Sequence, residues 1–150
     1  SATRVMLLGS GELGREVVAR CHAAGARVVV NGNAELARQI GADGLHLPAA
    51  DLLACSARPD FALVGASCHN TNELAQAARL ELDYALLGPV LPTRTHPDAS
   101  PLGWGGLQQL LADGFALPVF ALGGLSAGDL AVARANGAHG VALMRAAWRE

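Results

Sequence analysis

The sequence has little of what marks several classes of protein. Its 150 residues contain only two Trp, one Tyr and three Phe, and 11 basic side chains nearly balance 13 acidic ones. This balance of charge argues against a basic face that binds nucleic acid. No apolar run approaches the length of a membrane span. We therefore expect neither nucleic acid nor a membrane as a partner.

Cysteine is also scarce. Cys21, Cys55 and Cys68 are odd in number and widely spaced. Such a set is typical of reduced thiols and not of a disulfide framework or a zinc site. Residues 1–4 are polar and too short for a secretory signal peptide. Together these features predict a cytoplasmic protein.

Short apolar runs alternate with helical patterns along the chain. The runs predict strands near 5–8, 28–30, 44–47, 63–67, 84–88, 118–122 and 140–144. Helical spacing predicts helices near 11–24, 34–40, 71–79, 103–112 and 126–136. Strands that are apolar throughout are typical of a parallel sheet covered by helices. The predicted fold is therefore α/β, with about seven parallel strands in a single domain over residues 1–150.

A weak internal repeat favours one arrangement of these strands. Residues 37–45 and 133–141 each combine a helix end, a glycine cap and a strand start. Repetition of such βα units predicts a fold derived from a TIM barrel, either partial or closed with seven strands, whereas a complete barrel has eight. A Rossmann-like open sheet is the alternative. Unpaired sheet edges would also predict a homodimer.

Small and hydroxylated residues follow two neighbouring strands. Residues 88–95 follow the fifth predicted strand, and a pair of glycines follows the sixth. Free backbone N–H groups, Thr hydroxyls and helix N-termini beyond parallel strands are a common means of holding a phosphate. We therefore predict a site for inorganic phosphate or a small phosphorylated ligand. Its residues are Thr93, Thr95, Gly123 and Gly124.

A second glycine-rich motif lies near the start of the chain. Residues 9–14 fit the pattern G-x-G-x-x-G between a predicted strand and helix, which indicates a nucleotide site. The acidic ribose partner expected about 20 residues later is missing, because Asn31 and Asn33 occupy that region. A tight turn that binds an anion through Gly9 and Gly11 is therefore favoured, and a nucleotide-binding module is the alternative.

Five motifs, in order, resemble those of the thiamine phosphate synthase family, which has a TIM-barrel fold. They are Val30-Asn31, Gly41–Leu47, Val64–His69, Gly88–Thr95 and Ala121–Leu125. The nearest likeness is to the synthase-like domain that is fused behind a Nudix hydrolase domain. The resemblance implies a magnesium-dependent transferase that joins a pyrimidine diphosphate to a thiazole phosphate and expels pyrophosphate.

The same resemblance implies roles for individual residues. Asn31 and Ser67 would contact the pyrimidine substrate. Asp51 would be a magnesium ligand, although it could instead be only a helix N-cap. The Thr-x-Thr segment would bind the thiazole phosphate together with Gly124.

Two histidines near these positions have a plainer interpretation. We interpret His46 and His69 as core or supporting groups and not as ligands. Strand alternation sends Ser67 and Cys68 to opposite faces of the sheet, which argues against a combined nucleophilic site with His69.

Several positions depart from the family's pattern. Gly32 stands in place of a magnesium aspartate, Ala49 in place of a glutamine, and His96 in place of a lysine. A single carboxylate is a poor support for a hard cation, and a lost cationic side chain weakens stabilisation of the leaving group. We therefore expect synthase turnover to be absent or vestigial, and magnesium to be a cofactor only if that activity survives.

Residues 2–17 resemble a different family. They are similar to the opening strand, loop and helix of formate-dependent phosphoribosylglycinamide formyltransferase, an ATP-grasp enzyme, in which Glu12 and Leu13 would match substrate contacts. These two residues complete the predicted anion loop. A Rossmann-type unit at 1–26 joined to a synthase-like barrel portion at 27–150 predicts an engineered chimera. Such a scaffold would retain the phosphate site without turnover.

Overall fold

A computed structural model describes residues 4–8 and 14–144, in which strands and helices alternate. The strands are β1 (Val5–Leu8), β2 (Arg27–Asn31), β3 (Gly44–Leu47), β4 (Leu63–Cys68), β5 (Tyr84–Leu87), β6 (Val119–Leu122) and β7 (Gly140–Ala142). The α-helices are α1 (Gly14–Ala23), α2 (Ala34–Ile40), α3 (Ala49–Ala54), α4 (Thr71–Arg79), α5 (Gly103–Leu111) and α6 (Leu130–Ala135). A short 3-10 helix, Ala127–Asp129, precedes α6.

The strands form one parallel sheet in the order β1-β2-β3-β4-β5-β6-β7. Each connection leads to the adjacent strand, so the sheet curls into a half-barrel. This confirms the predicted α/β fold derived from a TIM barrel. The Rossmann-like alternative is wrong, because an open sheet of that kind reverses its strand order at a switch point.

The predicted boundaries hold to within a few residues except around two helices. Helix α3 was not predicted, since its six residues are too few to show a helical period. Asp51 lies in the first turn of α3, and Pro48 occupies the N-cap position, so the interpretation of Asp51 as an N-cap is wrong. The predicted helix 126–136 begins as the 3-10 helix, where Ser126 and Asp129 form a capping box.

The two faces of the sheet have different surroundings. Alternate strand residues pack against the helices and form the buried core. Those residues are Leu45, Leu47, Val64, Ala66, Cys68, Ala85, Leu87, Val119 and Ala121. The other face is concave and carries His46, Ser67 and Tyr84. Ser67 and Cys68 therefore lie on opposite faces, as the alternation predicts.

Three whole-chain predictions concern thiols, membranes and sheet edges. All three cysteines are free thiols. No helix among the described residues is both long and apolar enough to cross a bilayer. β1 and β7 form the edges of the described sheet, and Val5 and Leu7 of β1 are exposed. The homodimer through these edges stays a prediction.

Two aspartates join neighbouring strands at the amino-terminal edge of the sheet. The carboxylate of Asp43, just before β3, accepts the backbone N–H of Val28 in β2 at 2.7 Å and lies 2.8 Å from His22 Nε2. The carboxylate of Asp83, just before β5, accepts the N–H of Val64 in β4 at 2.7 Å. Burial raises the pKa of Asp43, but hydrogen bonds from His22 and Val28 outweigh that effect, so the pKa is lowered. Both carboxylates therefore stabilise the fold at the edge opposite the carboxyl ends of the strands.

We expect Asp43→Ala to destabilise the protein. Loss of the carboxylate leaves the Val28 N–H without its acceptor, which costs about 1–3 kcal/mol. Urea unfolding at pH 7 should show this loss in the free energy of unfolding. Asp60→Ala, at an exposed position, is the control and should change it by less than about 0.5 kcal/mol. Equal losses in the two variants would contradict the assignment.

Candidate functional site

A cavity of about 190 Å³ lies at the carboxyl ends of β4 to β7. Its walls come from these strand ends and from the loop that follows β5. The residues around it include Ser67, Thr93, Thr95, His96, Gly123 and Gly124. The four residues predicted to bind phosphate therefore lie together, and Ser67 shares the cavity with them.

Main-chain hydrogen bonds join the loop after β5 to the end of β6. The N–H of Val90 donates to the carbonyl oxygen of Leu122 at 2.9 Å, and the N–H of Leu91 donates to that of Gly123 at 3.0 Å. The loop thus continues the pairing of the two strands beyond the end of β5. This pairing carries the Thr-x-Thr segment to the glycine pair.

The glycine pair is required by the close approach of this loop. Gly123 and Gly124 have φ angles of 105° and 66°, which L side chains rarely adopt. A Cβ on Gly123 would lie 2.7 Å from Pro89 Cα, and one on Gly124 would lie 2.6 Å from the carbonyl oxygen of Pro92. Within residues 4–8 and 14–144, the N–H groups of both glycines have no hydrogen-bond acceptor. They are available to an anionic oxygen.

The threonine segment adds hydroxyl groups to this site. The N–H of Thr95 donates to the hydroxyl oxygen of Thr93 at 3.3 Å, a local turn that orients the half-buried Thr93. Within the described part of the chain, the cavity lining contains no lysine or arginine, and its titratable nitrogen groups are His69 and His96. Anion binding would therefore depend mainly on neutral N–H and O–H donors.

We expect Gly124→Ala to weaken binding of inorganic phosphate by about tenfold or more, a loss of about 1.4 kcal/mol. The new methyl group would lie 2.6 Å from the oxygen of Pro92 and would push the two loops apart. Isothermal titration with phosphate measures the affinity. The control is Gly105→Ala on α5, where an added Cβ meets no atom within 4 Å. Phosphate affinity that is equal in both variants would reject this role of Gly124.

Two residues implied by the resemblance lie outside the cavity lining. Asn31 ends β2, is exposed, and pairs in register with His46 of β3. Asp51 is near Gly32, where an added Cβ would lie 3.6 Å from its Oδ2 atom. Along the same edge of the sheet, Asn31 and Asp51 therefore lie at one side, the loops after β5 and β6 lie at the other, and Ser67 lies between them.

A buried histidine connects the strands behind Ser67. His46 is 1% exposed, and its Nδ1 and Nε2 atoms lie 2.8 Å from the hydroxyl oxygens of Tyr84 and Ser67. Burial lowers the pKa of His46 to about 4, so the ring is neutral at pH 7. This agrees with the interpretation of His46 as a supporting group. Sequence reasoning missed Tyr84, whose contact with His46 depends on the register of three strands.

His69 has a separate support at the start of α4. Glu73, 8% exposed, accepts hydrogen bonds from the backbone N–H of His69 and from its Nδ1 atom, the latter at 3.0 Å. Asn70 caps the same helix by accepting the N–H of Glu73 at 2.9 Å. His69 thus supports the chain where it leaves β4 and also lines the cavity, so its exclusion as a ligand stays a prediction.

We expect the stability of the fold to fall as the pH drops from about 6.5 to 4. In the folded chain the pKa of His46 is about 4, whereas the ordinary pKa of histidine is 6.5. Between these two pH values the unfolded chain therefore binds more protons than the folded chain. This group alone contributes a loss of up to about 3 kcal/mol. Urea unfolding across this range should show a shallower pH dependence in His46→Gln. His96→Gln, at an exposed position, should keep the wild-type dependence, and the same slope in all three proteins would contradict the prediction.

The predicted anion loop of Gly9, Gly11, Glu12 and Leu13 lies outside the described residues, and so does the nucleotide-binding alternative that rests on it. The last glycine of that motif, Gly14, is described. An added Cβ there would lie 2.5 Å from Ile40 Cγ2, so Gly14 permits close packing of α1 on α2. This packing is sufficient reason for a glycine at position 14.

Parallel βα units with ligand-binding groups at the carboxyl ends of the strands define the class of (βα)-barrel proteins. The sequence profile of the thiamine monophosphate synthase family matches residues 10–147. The chain belongs to that family.

Individual relatives agree with this assignment. The chain is 38% identical to the thiamine-phosphate synthase of Streptococcus suis over 137 residues, which are 89% of this chain and 60% of that protein. It is 34% identical to that of Chloroflexus aurantiacus over 149 residues, 97% of this chain and 67% of the relative. A thiamine phosphate pyrophosphorylase from Pyrococcus furiosus has a similar fold, with a TM-score of 0.74 at 21% identity over 93% of this chain and 71% of its own. The chain thus spans 60% and 67% of the length of these two curated relatives.

These comparisons correct two predictions. The family match begins at residue 10 and crosses the junction predicted at residues 26 and 27 without a break. The fused ATP-grasp unit and the engineered chimera are therefore not supported. A strand, a glycine turn and a helix are common to many α/β families, so a segment of that length could not identify its origin. The interpretation as an inactive scaffold is also wrong, because the relatives are named as synthases.

Proposed function

We propose that this chain acts as a thiamine-phosphate synthase, or supplies the larger part of one. The reaction would join a pyrimidine diphosphate to a thiazole phosphate and release pyrophosphate. The observation that supports this most is the single cavity formed by Ser67, the Thr-x-Thr loop and the glycine pair in a chain of this family. Because the chain spans only part of its relatives' length, the complete reaction remains a proposal.

The thiazole phosphate would bind at the loop after β5. Its phosphate oxygens would accept hydrogen bonds from the N–H groups of Gly123 and Gly124 and from the Thr93 hydroxyl, which all border the cavity. Such converging neutral donors suit a phosphate at the carboxyl end of a barrel strand. The thiazole would then lie on the β5–β6 side of Ser67.

The pyrimidine would bind between Ser67 and Asn31. Both side chains stand on the carboxyl edge of the sheet, on β4 and β2, and both carry hydrogen-bonding groups that suit ring nitrogens and amino groups. The diphosphate would then extend toward Asp51, which lies beside the end of β2. The two substrates would thus meet next to Ser67.

Magnesium fits this arrangement only with help from the substrate. In the described residues, no group of three or more acidic, His or Cys side chains could hold a metal by itself. Magnesium is commonly held by one or two carboxylates together with phosphate oxygens, so Asp51 and the diphosphate would suffice. When bound, the ion would neutralise charge that develops on the departing pyrophosphate.

The protein's side chains favour direct transfer between the substrates. Cys68 is turned toward the core, and burial raises its pKa to about 12, so the thiol stays protonated and is a poor nucleophile. His46, beside Ser67, has a pKa of about 4 and is too weak a base to activate that hydroxyl. The contribution of this chain is therefore to position two substrates in neighbouring sites and to stabilise charge.

Release of pyrophosphate tests the proposal directly. With both substrates and magnesium, we expect wild-type chain to release pyrophosphate, and a chelator to abolish the release. Asp51→Asn should lower kcat/KM by about tenfold to a hundredfold, because one ligand charge on the metal is lost. Asp60→Asn, at an exposed position just before the amino end of β4 and so at the opposite edge of the sheet, should keep the wild-type value. Release no faster than in a mixture without protein would reject the proposal.

A further inference from the structure

Three neighbouring strands place His46, Gly65 and Tyr84 in one row on the concave face. A Cβ on Gly65 would lie 1.9 Å from Tyr84 Cζ, so the tyrosine ring crosses β4 directly over this glycine. The phenol hydroxyl therefore reaches Nδ1 of His46 at 2.8 Å, and the planes of the two rings differ by only 25°. Tyr84 on β5 thus contacts the side chain of His46 on β3, two strands away.

The protonation state of His46 restricts the direction of its hydrogen bonds. A neutral imidazole has one N–H donor and one acceptor nitrogen. Since the two nitrogens contact the hydroxyls of Tyr84 and Ser67, one hydroxyl must donate to the ring and the other must accept from it. The hydrogen bonds can therefore run from Tyr84 through His46 to Ser67, or from Ser67 through His46 to Tyr84. In the first case the Ser67 proton is free to point into the cavity, and in the second it is used by His46.

The surroundings of Tyr84 decide between the two directions. Among the described residues, its hydroxyl makes no hydrogen bond other than the one with His46. Burial raises the pKa of Tyr84, so the phenol keeps its proton. If the ring donated to Tyr84, the phenol proton would have no acceptor among the described residues, and an unpaired donor in this half-buried place costs about 1–3 kcal/mol. Donation from the phenol to Nδ1 avoids this cost.

We propose that Tyr84 and His46 form a relay that presents Ser67 to the cavity as a hydrogen-bond donor. The Tyr84 O–H donates to Nδ1 of His46, the Nε2–H of His46 donates to Ser67 Oγ, and the Ser67 proton is left for the ligand. Ser67 therefore offers its proton to an acceptor, such as an unprotonated ring nitrogen, and this donor would be missing if the hydrogen bonds ran the other way. The identity of that ligand rests on the proposed function, whereas the relay belongs to the free protein.

The position of the ring proton tests the relay without any substrate. Two-bond nitrogen–proton NMR spectra of the labelled protein at pH 7 should show His46 protonated at Nε2 only. In Tyr84→Phe the donor to Nδ1 is lost, and we expect both tautomers to be populated. In Ser67→Ala the phenol still donates, so the proton should remain on Nε2. A wild-type proton on Nδ1, or unchanged tautomers in Tyr84→Phe, would overturn the relay.

A second variant, Gly65→Ala, disrupts the contact between Tyr84 and His46 without removing the phenol hydroxyl. Gly65→Ala places a methyl group where the tyrosine ring now lies, so the ring must move although the phenol is retained. We expect the tautomer mixture of Tyr84→Phe in this variant too. A wild-type spectrum in Gly65→Ala would contradict the geometry of the row. Urea unfolding of each variant, compared with wild type, shows whether the fold is intact in the sample measured.

A substrate comparison tests the selection by Ser67. The probes are the pyrimidine diphosphate and its analogues in which each ring nitrogen in turn is replaced by C–H. For one of these analogues we expect KM to rise about tenfold in wild type, and the difference to vanish in Ser67→Ala and to shrink in Tyr84→Phe. Equal KM for all probes in wild type would overturn the selection. Absence of any turnover would reject the proposed function, while the tautomer result would still decide the relay.

Discussion

The parallel pairing of consecutive strands is the constraint on which the rest of this structure depends. Because every strand runs the same way, every strand end faces the same edge of the sheet. Residues separated by nearly a hundred positions in sequence, such as Asn31 and Gly124, therefore come to one surface. The register adds a second constraint, since it places His46, Gly65 and Tyr84 in a row. Both the ligand cavity and the hydrogen bonds behind it follow from this pairing.

Glycine serves close approach at two points of that surface. At Gly65 the missing side chain leaves room for the ring of Tyr84, and at Gly123 it leaves room for Pro89. In the first case the result is a polar contact between strands that are not neighbours. In the second it is a junction between two loops, where the N–H groups of Gly123 and Gly124 have no acceptor among residues 4–8 and 14–144. A composition rich in glycine thus has specific structural consequences here.

Much of the fold could be predicted from the sequence, because apolar runs and glycine caps mark the strand and helix ends directly. The grouping of Thr93, Thr95 and Gly124 could also be predicted, since parallel strands bring their ends together. Helix α3 was missed because six residues are too few for a period. The contact between His46 and Tyr84 depends on register, which no local pattern reveals.

The mistaken predictions have a common cause. The likeness of residues 2–17 to another family rests on a strand, a glycine turn and a helix, and the family match continues through this segment from residue 10. A substitution such as Gly32 likewise does not exclude activity by itself, since a diphosphate substrate would bring metal ligands of its own. Local patterns are reliable for turns and strand ends, and much less reliable for the origin or activity of a whole chain.

The aspartates at the amino-terminal edge have a consequence for how this chain can change. Asp43 and Asp83 join strands at the end of the sheet opposite the cavity, so these two joints are separate from the groups that would bind ligands. A substitution in the loops after β5 and β6 can alter what is bound without loosening these joints. Because these joints lie away from the loops, specificity could diverge in the loops while this edge of the framework stays the same.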